Sequence, residues 1–236
     1  MDDFWIRIYL VRHGHVSYFD KEDNPVNPKY AKLSAKGIDQ IQLLAEIMKD
    51  VSFRSIYAST LPRAIQTVEI LTKHHQTSSF LAVDAIREIK SGRLKDINTN
   101  NAEKEIKDAY FIQTNNLRSF LNGESWEEFN NRVITWFEQT ILSKSEGQNI
   151  LISSHDAVNR TILRWIYGNR LADIFSYEQD YGCLNILDIN IKNNKIYKKR
   201  VKLQNFTVYN PLKKCLFDSS MDEVYSVYIN RNGFKE

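Results

Sequence analysis

Short runs of β-branched and aliphatic residues alternate along this chain with stretches of helical periodicity, and this alternation constrains the fold most strongly. The clearest runs, Ile6 to Val11, Ser55 to Ala58 and Asn149 to Ser153, predict buried strands, and Leu81 to Val83 predicts a weaker one. The helical stretches cover residues 34–49, 61–73, 102–121, 126–142 and 158–167. The pattern predicts an α/β fold with a mostly parallel central sheet flanked by helices on both faces.

The chain carries no sign of a boundary between domains. Its four prolines and eight glycines are scattered over 236 residues, so no flexible linker is indicated, and we expect a single domain over residues 1–236. Two alternating segments, Leu184 to Ile191 and Lys195 to Leu203, are joined by Asn193 and Asn194 and predict a hairpin. Residues 206–236 have no clear pattern and are expected to form a C-terminal extension packed on the domain.

Composition and charge exclude several classes of function. The net charge is +3, and 32 basic residues are interspersed with 29 acidic ones, so nucleic acid is not an expected partner. Cys183 and Cys215 lack the spacing of a metal or redox site, which is typical of a reducing compartment. No stretch approaches the ~20 apolar residues of a membrane span. A cytoplasmic protein without a membrane partner is therefore expected.

Basic side chains follow three of the predicted strands at the point where each strand ends. Arg12 and His13 come after the first strand, Arg63 lies at the helix start after the second, and His155 follows the strand at 149–153. The carboxyl ends of parallel strands meet at the same edge of a sheet. We therefore expect these four side chains to converge on one site.

Such a site suits phosphoryl transfer. The guanidinium groups of Arg12 and Arg63 can hold a phosphate dianion through bidentate hydrogen bonds. The neutral imidazole of His13 can attack phosphorus, and His155 can stabilise the charge on the phosphoryl oxygens. The leaving alkoxide needs a proton, for which Glu88 after the third strand is the candidate, because a nearby phosphate should raise the pKa of its carboxyl group.

Five motifs in a fixed order resemble those of the histidine phosphatase superfamily, the phosphoglycerate mutase-like proteins. They are Leu10-Val-Arg-His-Gly14, Tyr57-Ala-Ser-Thr-Leu-Pro-Arg-Ala-Ile-Gln-Thr67, Arg87-Glu88, Gly123-Glu-Ser125 and Ser153-Ser-His155. The resemblance covers roughly residues 6–190. It implies a phosphohistidine intermediate on His13, a mixed α/β sheet, and no metal or organic cofactor.

Two departures from the mutase pattern favour a phosphatase acting on a small phosphorylated metabolite. Val16 and Phe19 stand where mutases of this family carry polar substrate ligands, and residues 89–94 are closer to the phosphatase pattern. Asp156 follows His155 where glycine is common, and in the acid phosphatase branch a His-Asp pair supplies the proton donor. Asp156 is therefore an alternative acid to Glu88.

Two other functions remain as alternatives. One is phosphoryl transfer of the phosphoglycerate mutase type, in which the phosphoryl group returns to the substrate. The other is a non-catalytic phosphate-binding protein.

Two further residues near the motifs have predicted roles. His15 either contacts the substrate or lines the mouth of the site. Ser125 is predicted to cap the next helix, with Glu128 completing a capping box. Either a monomer or a homodimer fits the sequence.

Overall fold

A six-stranded sheet is the centre of the computed structural model, which describes residues 3–20, 26–75, 79–93, 102–111, 119–214 and 220–231. The strands are β1 (Asp3–Arg12), β2 (Ser55–Ser59), β3 (Leu81–Val83), β4 (Gln148–Ser154), β5 (Leu184–Lys192) and β6 (Lys195–Phe206). In space they follow the order β3-β2-β4-β1-β5-β6, and β3, β2, β4 and β1 run parallel. The fifth strand is antiparallel to β1 and the sixth to β5, so the predicted mostly parallel sheet is confirmed.

Helices cover both faces of this sheet, as predicted. They are α1 (Ala35–Met48), α2 (Pro62–Thr72), α3 (Ala102–Lys107), α4 (Trp126–Leu142), α5 (Asp156–Tyr167) and α6 (Ser220–Arg231). Successive side chains of a strand point to opposite faces. On β1, Ile8 and Leu10 therefore join the core cluster beneath α4 and α5, whereas Tyr9 and Val11 join the cluster beneath α1 and α2.

The helix predicted over residues 102–121 is wrong in its length. The structure has a helix only over Ala102–Lys107, a turn at 108–110 and a 3₁₀ turn over Phe120–Asn122, and residues 112–118 lie outside the described part of the chain. The Phe120 amide donates to the Glu124 carbonyl over 2.9 Å, and Leu121 has a φ of 48°, which no α-helix adopts. Ile106 in α3 and Phe120 in the 3₁₀ turn pack into the same core, so their spacing resembled that of a single helix.

The C-terminal part of the chain contains the predicted hairpin and one helix that the sequence left unassigned. Asn193 and Asn194 both have positive φ, as a two-residue hairpin turn requires. Helix α6 packs against α3, and its Met221 and Tyr228 are buried in the core cluster beneath α4 and α5. Among the described residues, no helix has the length and apolar character needed to cross a membrane.

Two glycines allow the backbone of α1 to contact the backbone of the loop that follows β1. A Cβ on Gly37 would lie 2.1 Å from the His15 carbonyl oxygen, and one on Gly14 would lie 2.4 Å from the Gly37 carbonyl oxygen. Both distances are far inside van der Waals contact and involve backbone atoms that cannot rotate away. These glycines therefore fix where residues 13–15 lie relative to α1.

Replacing Gly37 by alanine should destabilise the protein by about 2 kcal/mol or more, because the new methyl group overpacks a backbone contact. Helix propensity alone predicts the opposite sign, since alanine in place of glycine favours a helix by up to about 1 kcal/mol. Urea unfolding measures the change. Asp39→Ala, at an exposed position on the same helix, is the control and should be nearly neutral. A Gly37→Ala variant as stable as the wild type would contradict this packing.

Candidate active site

The structure brings Arg12, His13, Arg63 and His155 together at the carboxyl edge of the parallel strands. Arg12 is the last residue of β1, and its register partner Ser154 is the last residue of β4. The His13 amide donates to the Ser154 carbonyl over 3.0 Å, which ties the ends of the two strands together. Arg63 is the second residue of α2, directly after β2, and all four side chains are buried. Their convergence was predicted from the order of strands and motifs.

Two contacts fix the tautomer of His13. Its Nδ1 lies 2.8 Å from the Gly14 carbonyl oxygen, which only accepts, so Nδ1 carries the proton. Its Nε2 accepts from Arg63 Nε over 3.1 Å, and a guanidinium group only donates, so Nε2 holds a lone pair. Burial, together with the charges of Arg63 and Arg12, moves the pKa of His13 well below its ordinary value. The imidazole is therefore neutral at pH 7, with Nε2 facing Arg63.

Backbone carbonyl groups anchor one end of each guanidinium. Arg63 Nη1 donates to the Pro28 carbonyl over 2.7 Å, and Arg12 Nη1 donates to the Gln179 carbonyl. Arg12 Nε is buried and has no hydrogen-bond partner among the described residues. Anchoring fixes the direction of each planar fork, and an unpartnered buried donor is what a preformed anion site requires.

His155 completes the basic cluster from the start of α5. Its ring centroid lies 5.1 Å from that of His13, and the two rings meet edge to face at 64°. Nε2 of His155 lies 2.8 Å from the Ser59 hydroxyl at the end of β2, and its Nδ1 is buried with no partner among the described residues. Burial, and after it the charge of Arg63, lowers the pKa of His155 well below its ordinary value.

Ser59 is a residue of this site that the sequence analysis did not identify. The N-cap of α2 is Leu61, which has no side-chain cap, and Thr60 donates to Asp84 Oδ1 over 2.6 Å. The signal that could have identified Ser59 was its position at the end of β2, the same edge that carries Arg12 and His155.

Glu88 reaches this cluster from the loop after β3. Its Oε1 accepts from the amide of Ile89 over 3.0 Å, and its Oε2 accepts from the amide of Ala157 in the first turn of α5 over 3.4 Å. Burial first, and then the negative charge of Asp156, raise the pKa of Glu88 to about 7. A carboxyl group with this pKa exchanges its proton near neutrality, as a general acid must.

Asp156 is enclosed by cationic groups. Arg160 Nε lies 2.5 Å from its Oδ1, Arg12 Nη1 lies 3.6 Å from its Oδ2, and the Ser220 hydroxyl donates to Oδ2 over 3.3 Å. Both oxygens of this buried carboxylate are therefore engaged. The geometry suits an anchor for Arg12 better than a proton donor.

His15 lies at the mouth of the site, and both nitrogens of its ring contact protein groups. Nδ1 is 2.8 Å from the Ser34 hydroxyl, and Nε2 is 3.0 Å from Glu223 Oε1 on α6. The hydrogen bond from His15 lowers the pKa of Glu223. The sequence left residues 206–236 unassigned, so the contact between α6 and the site was not predicted.

Within the described part of the chain, no group of three or more His, Cys, Asp or Glu residues is arranged to hold a metal ion.

Comparisons with known proteins identify related sequences and structures. The family model described as "Histidine phosphatase superfamily (branch 1)" matches residues 8–201. An adenosylcobalamin/alpha-ribazole phosphatase from Escherichia coli K12 is 27% identical over 198 residues, which cover 79% of this chain and 92% of the relative. A 2,3-bisphosphoglycerate-dependent phosphoglycerate mutase from Blochmanniella floridana is 27% identical over 228 residues, covering 81% and 97%.

Solved structures with a similar fold include the same kind of enzyme. The crystal structure of the alpha-ribazole phosphatase from Shigella flexneri superposes with a TM-score of 0.66 at 24% identity, covering 85% of this chain and 96% of that one. Together these matches confirm the family predicted from the five motifs. The prediction of an enzyme of the histidine phosphatase class, a phosphoric monoester hydrolase, is confirmed with it.

Proposed function

Because the chain belongs to the histidine phosphatase superfamily, we propose that it hydrolyses a small phosphorylated metabolite through a phosphohistidine intermediate on His13. The observation that carries this proposal is the fixed tautomer of the buried His13 ring. Nδ1 donates to the Gly14 carbonyl, so the nucleophilic lone pair is on Nε2, the nitrogen that faces Arg63. Attack needs no base, because the imidazole is already neutral.

In the first step, the phosphoryl group of the substrate binds between the Arg12 and Arg63 guanidinium groups. Its oxygens replace His13 Nε2 as the acceptor for Arg63 Nε, and this exchange frees the lone pair for attack. A bond forms between Nε2 and phosphorus while the bond from phosphorus to the ester oxygen breaks. His155 and both guanidinium groups stabilise the charge on the phosphoryl oxygens as it spreads in the transition state.

Glu88 is the proton donor in this proposal. Its carboxyl proton goes to the departing oxygen and yields the alcohol, leaving a carboxylate. In the second step this carboxylate takes a proton from water, whose oxygen attacks phosphorus as the bond to Nε2 breaks. Inorganic phosphate leaves, and His13 and Glu88 return to their starting protonation. Asp156 is assigned the other role, that of holding Arg12 in place through its ion pair.

The environment of Val16 supports hydrolysis over mutase-type transfer. Its side chain is buried in the core cluster beneath α1 and α2, and its backbone pairs with Leu33. This position therefore provides no polar ligand for the part of a mutase substrate that lies beyond the bound phosphoryl group. The phosphoglycerate mutase among the relatives keeps the transfer reaction as the alternative to be tested.

Release of inorganic phosphate tests the proposal. The wild-type protein should liberate phosphate from an aryl phosphate such as p-nitrophenyl phosphate, and from some members of a panel of phosphorylated metabolites. The panel includes α-ribazole 5′-phosphate, after the named activity of the relatives, and 3-phosphoglycerate. Conversion of 3-phosphoglycerate to 2-phosphoglycerate with little phosphate release would instead support a mutase. Binding of phosphate without turnover of any substrate would support the non-catalytic alternative.

The cellular location and the oligomeric state of the protein are also proposals. A reducing, cytoplasmic location fits Cys183, which is buried and free of a disulfide, whereas Cys215 lies outside the described residues. The chain is proposed to act as a monomer or a homodimer on a small-molecule substrate, without nucleic acid or a membrane. Residues 206–236 are proposed to form part of the same domain, since α6 contacts both the core and His15.

A further inference from the structure

Tyr181 lies among the proposed catalytic groups, although neither its sequence context nor the five motifs single it out. It is in the loop between the 3₁₀ turn Leu171–Ser176 and β5. The adjacent Gly182 amide donates to the His13 carbonyl over 2.9 Å, and the Tyr209 hydroxyl donates to the Tyr181 carbonyl over the same distance. The backbone at Tyr181 is therefore held against the loop that carries His13.

Three functional groups surround its ring. The guanidinium carbon of Arg12 lies 4.0 Å from the ring centroid, within the range of a cation–π interaction. The ring centroids of His15 and His13 lie 5.1 Å and 5.9 Å away. The ring therefore forms one wall of the space between the proposed nucleophile, one phosphate-binding arginine and the mouth of the site.

The hydroxyl group of Tyr181 is the unexplained feature. Only 9% of the residue is exposed, and the hydroxyl oxygen is buried with no hydrogen-bond partner among the described residues. An unpaired buried hydroxyl destabilises a fold, whereas phenylalanine would fill the same place without this cost. Burial raises the pKa of Tyr181 well above its ordinary value, so the group stays a neutral donor across the working pH range.

We propose that Tyr181 is a substrate ligand, whose hydroxyl donates a hydrogen bond to a non-bridging oxygen of the phosphoryl group held by Arg12. A phosphate dianion is a strong acceptor, and a hydrogen bond to a charged group is stronger than one between neutral partners. The ring has a separate role, because its contact with Arg12 holds the guanidinium plane. This inference rests on the proposed function only in taking the site to bind a phosphoryl group.

Tyr181→Phe separates the two roles, because it removes the hydroxyl and keeps the ring. Dissociation constants for inorganic phosphate and orthovanadate, measured by calorimetry, should rise about ten- to a hundredfold. The kcat/KM for p-nitrophenyl phosphate should fall by a similar factor. The thermal midpoint of the free protein should stay unchanged or increase, since the unpaired buried hydroxyl is gone. A residue with a structural role alone would give the opposite result, namely lower stability and unchanged anion binding.

Two further variants complete the experiment. Tyr181→Leu removes the ring as well, and should weaken anion binding beyond the effect of Tyr181→Phe. Tyr167→Phe is the matched control. Tyr167 is the last residue of α5, at the end away from the site, and its hydroxyl donates to Gln204. Loss of this hydroxyl should leave anion binding unchanged. Wild-type anion affinity in Tyr181→Phe would overturn the inference. If the wild type binds phosphate but hydrolyses nothing, the proposed function fails while the binding comparison still tests Tyr181.

Discussion

The His13→Ala variant is expected to lose turnover by roughly 10⁴-fold or more, because it removes the nucleophile that is proposed to accept the phosphoryl group. The hydrogen bond that Nδ1 makes with the Gly14 carbonyl holds Nε2 of His13 toward Arg63, where the phosphoryl group is proposed to bind. His155, whose ring lies 5.1 Å away, has its Nε2 engaged with Ser59. Initial rates of phosphate release from p-nitrophenyl phosphate give the loss.

Trapping the intermediate makes this test specific. After mixing with substrate and an alkaline quench, which preserves phosphohistidine, mass spectrometry should find one added phosphoryl group on wild-type protein and none on His13→Ala. Phosphate binding should persist in the variant, since Arg12 and Arg63 remain. His74→Ala, at an exposed position beyond the end of α2, is the matched control and should behave as the wild type. A phosphoryl group found on another residue would disprove the assignment of His13.

The main features of the site could be predicted because they depend on strand order. Arg12, His13 and His155 follow strands that the aliphatic runs identify, and parallel strands bring their carboxyl ends to one edge. The side chain of Glu88 also lies where its place after β3 indicates. What the strands alone could not predict was the anchoring of each side chain by backbone carbonyls such as those of Pro28 and Gln179.

The features that were missed come from segments without a periodic pattern. Tyr181 lies in an irregular loop, and its neighbours Arg12 and His15 are far from it in sequence, so no local signal marks it. The contact of Glu223 with His15 depends on where α6 docks, which the mixed composition after Phe206 does not determine. Spacing also gives a wrong prediction at residues 102–121, where apolar residues from α3 and from a separate 3₁₀ turn fill one core and resemble a single helix.

The Glu88→Gln variant is expected to lose activity in proportion to the basicity of the leaving group. Glutamine keeps the shape of the side chain but has no acidic proton to give. For an alkyl ester such as β-glycerophosphate, kcat/KM should fall by about 10²–10⁴-fold, the usual contribution of general acid catalysis. For p-nitrophenyl phosphate it should change little, because nitrophenolate departs without protonation. The ratio kcat/KM suits the test, since it reports formation of the phosphoenzyme and not its hydrolysis.

The pH dependence of the wild type follows from the same proton. Glu88 has its pKa raised to about 7, so the protonated form that donates is present below this pH and is lost above it. Activity toward the alkyl ester should therefore decline as the pH rises through about 7. The Glu88→Gln variant should lack this decline, because its amide does not titrate.

The Asp156→Asn variant tests whether Glu88 or Asp156 is the general acid. Asp156 pairs with Arg160 and Arg12, so removing its charge leaves buried guanidinium groups uncompensated. The variant should be destabilised by about 3 kcal/mol. It should lose activity toward the alkyl and the aryl ester alike, because a displaced Arg12 binds both phosphoryl groups less well. If Asp156→Asn instead slows only the alkyl ester while Glu88→Gln slows both equally, Asp156 is the acid and Glu88 is not.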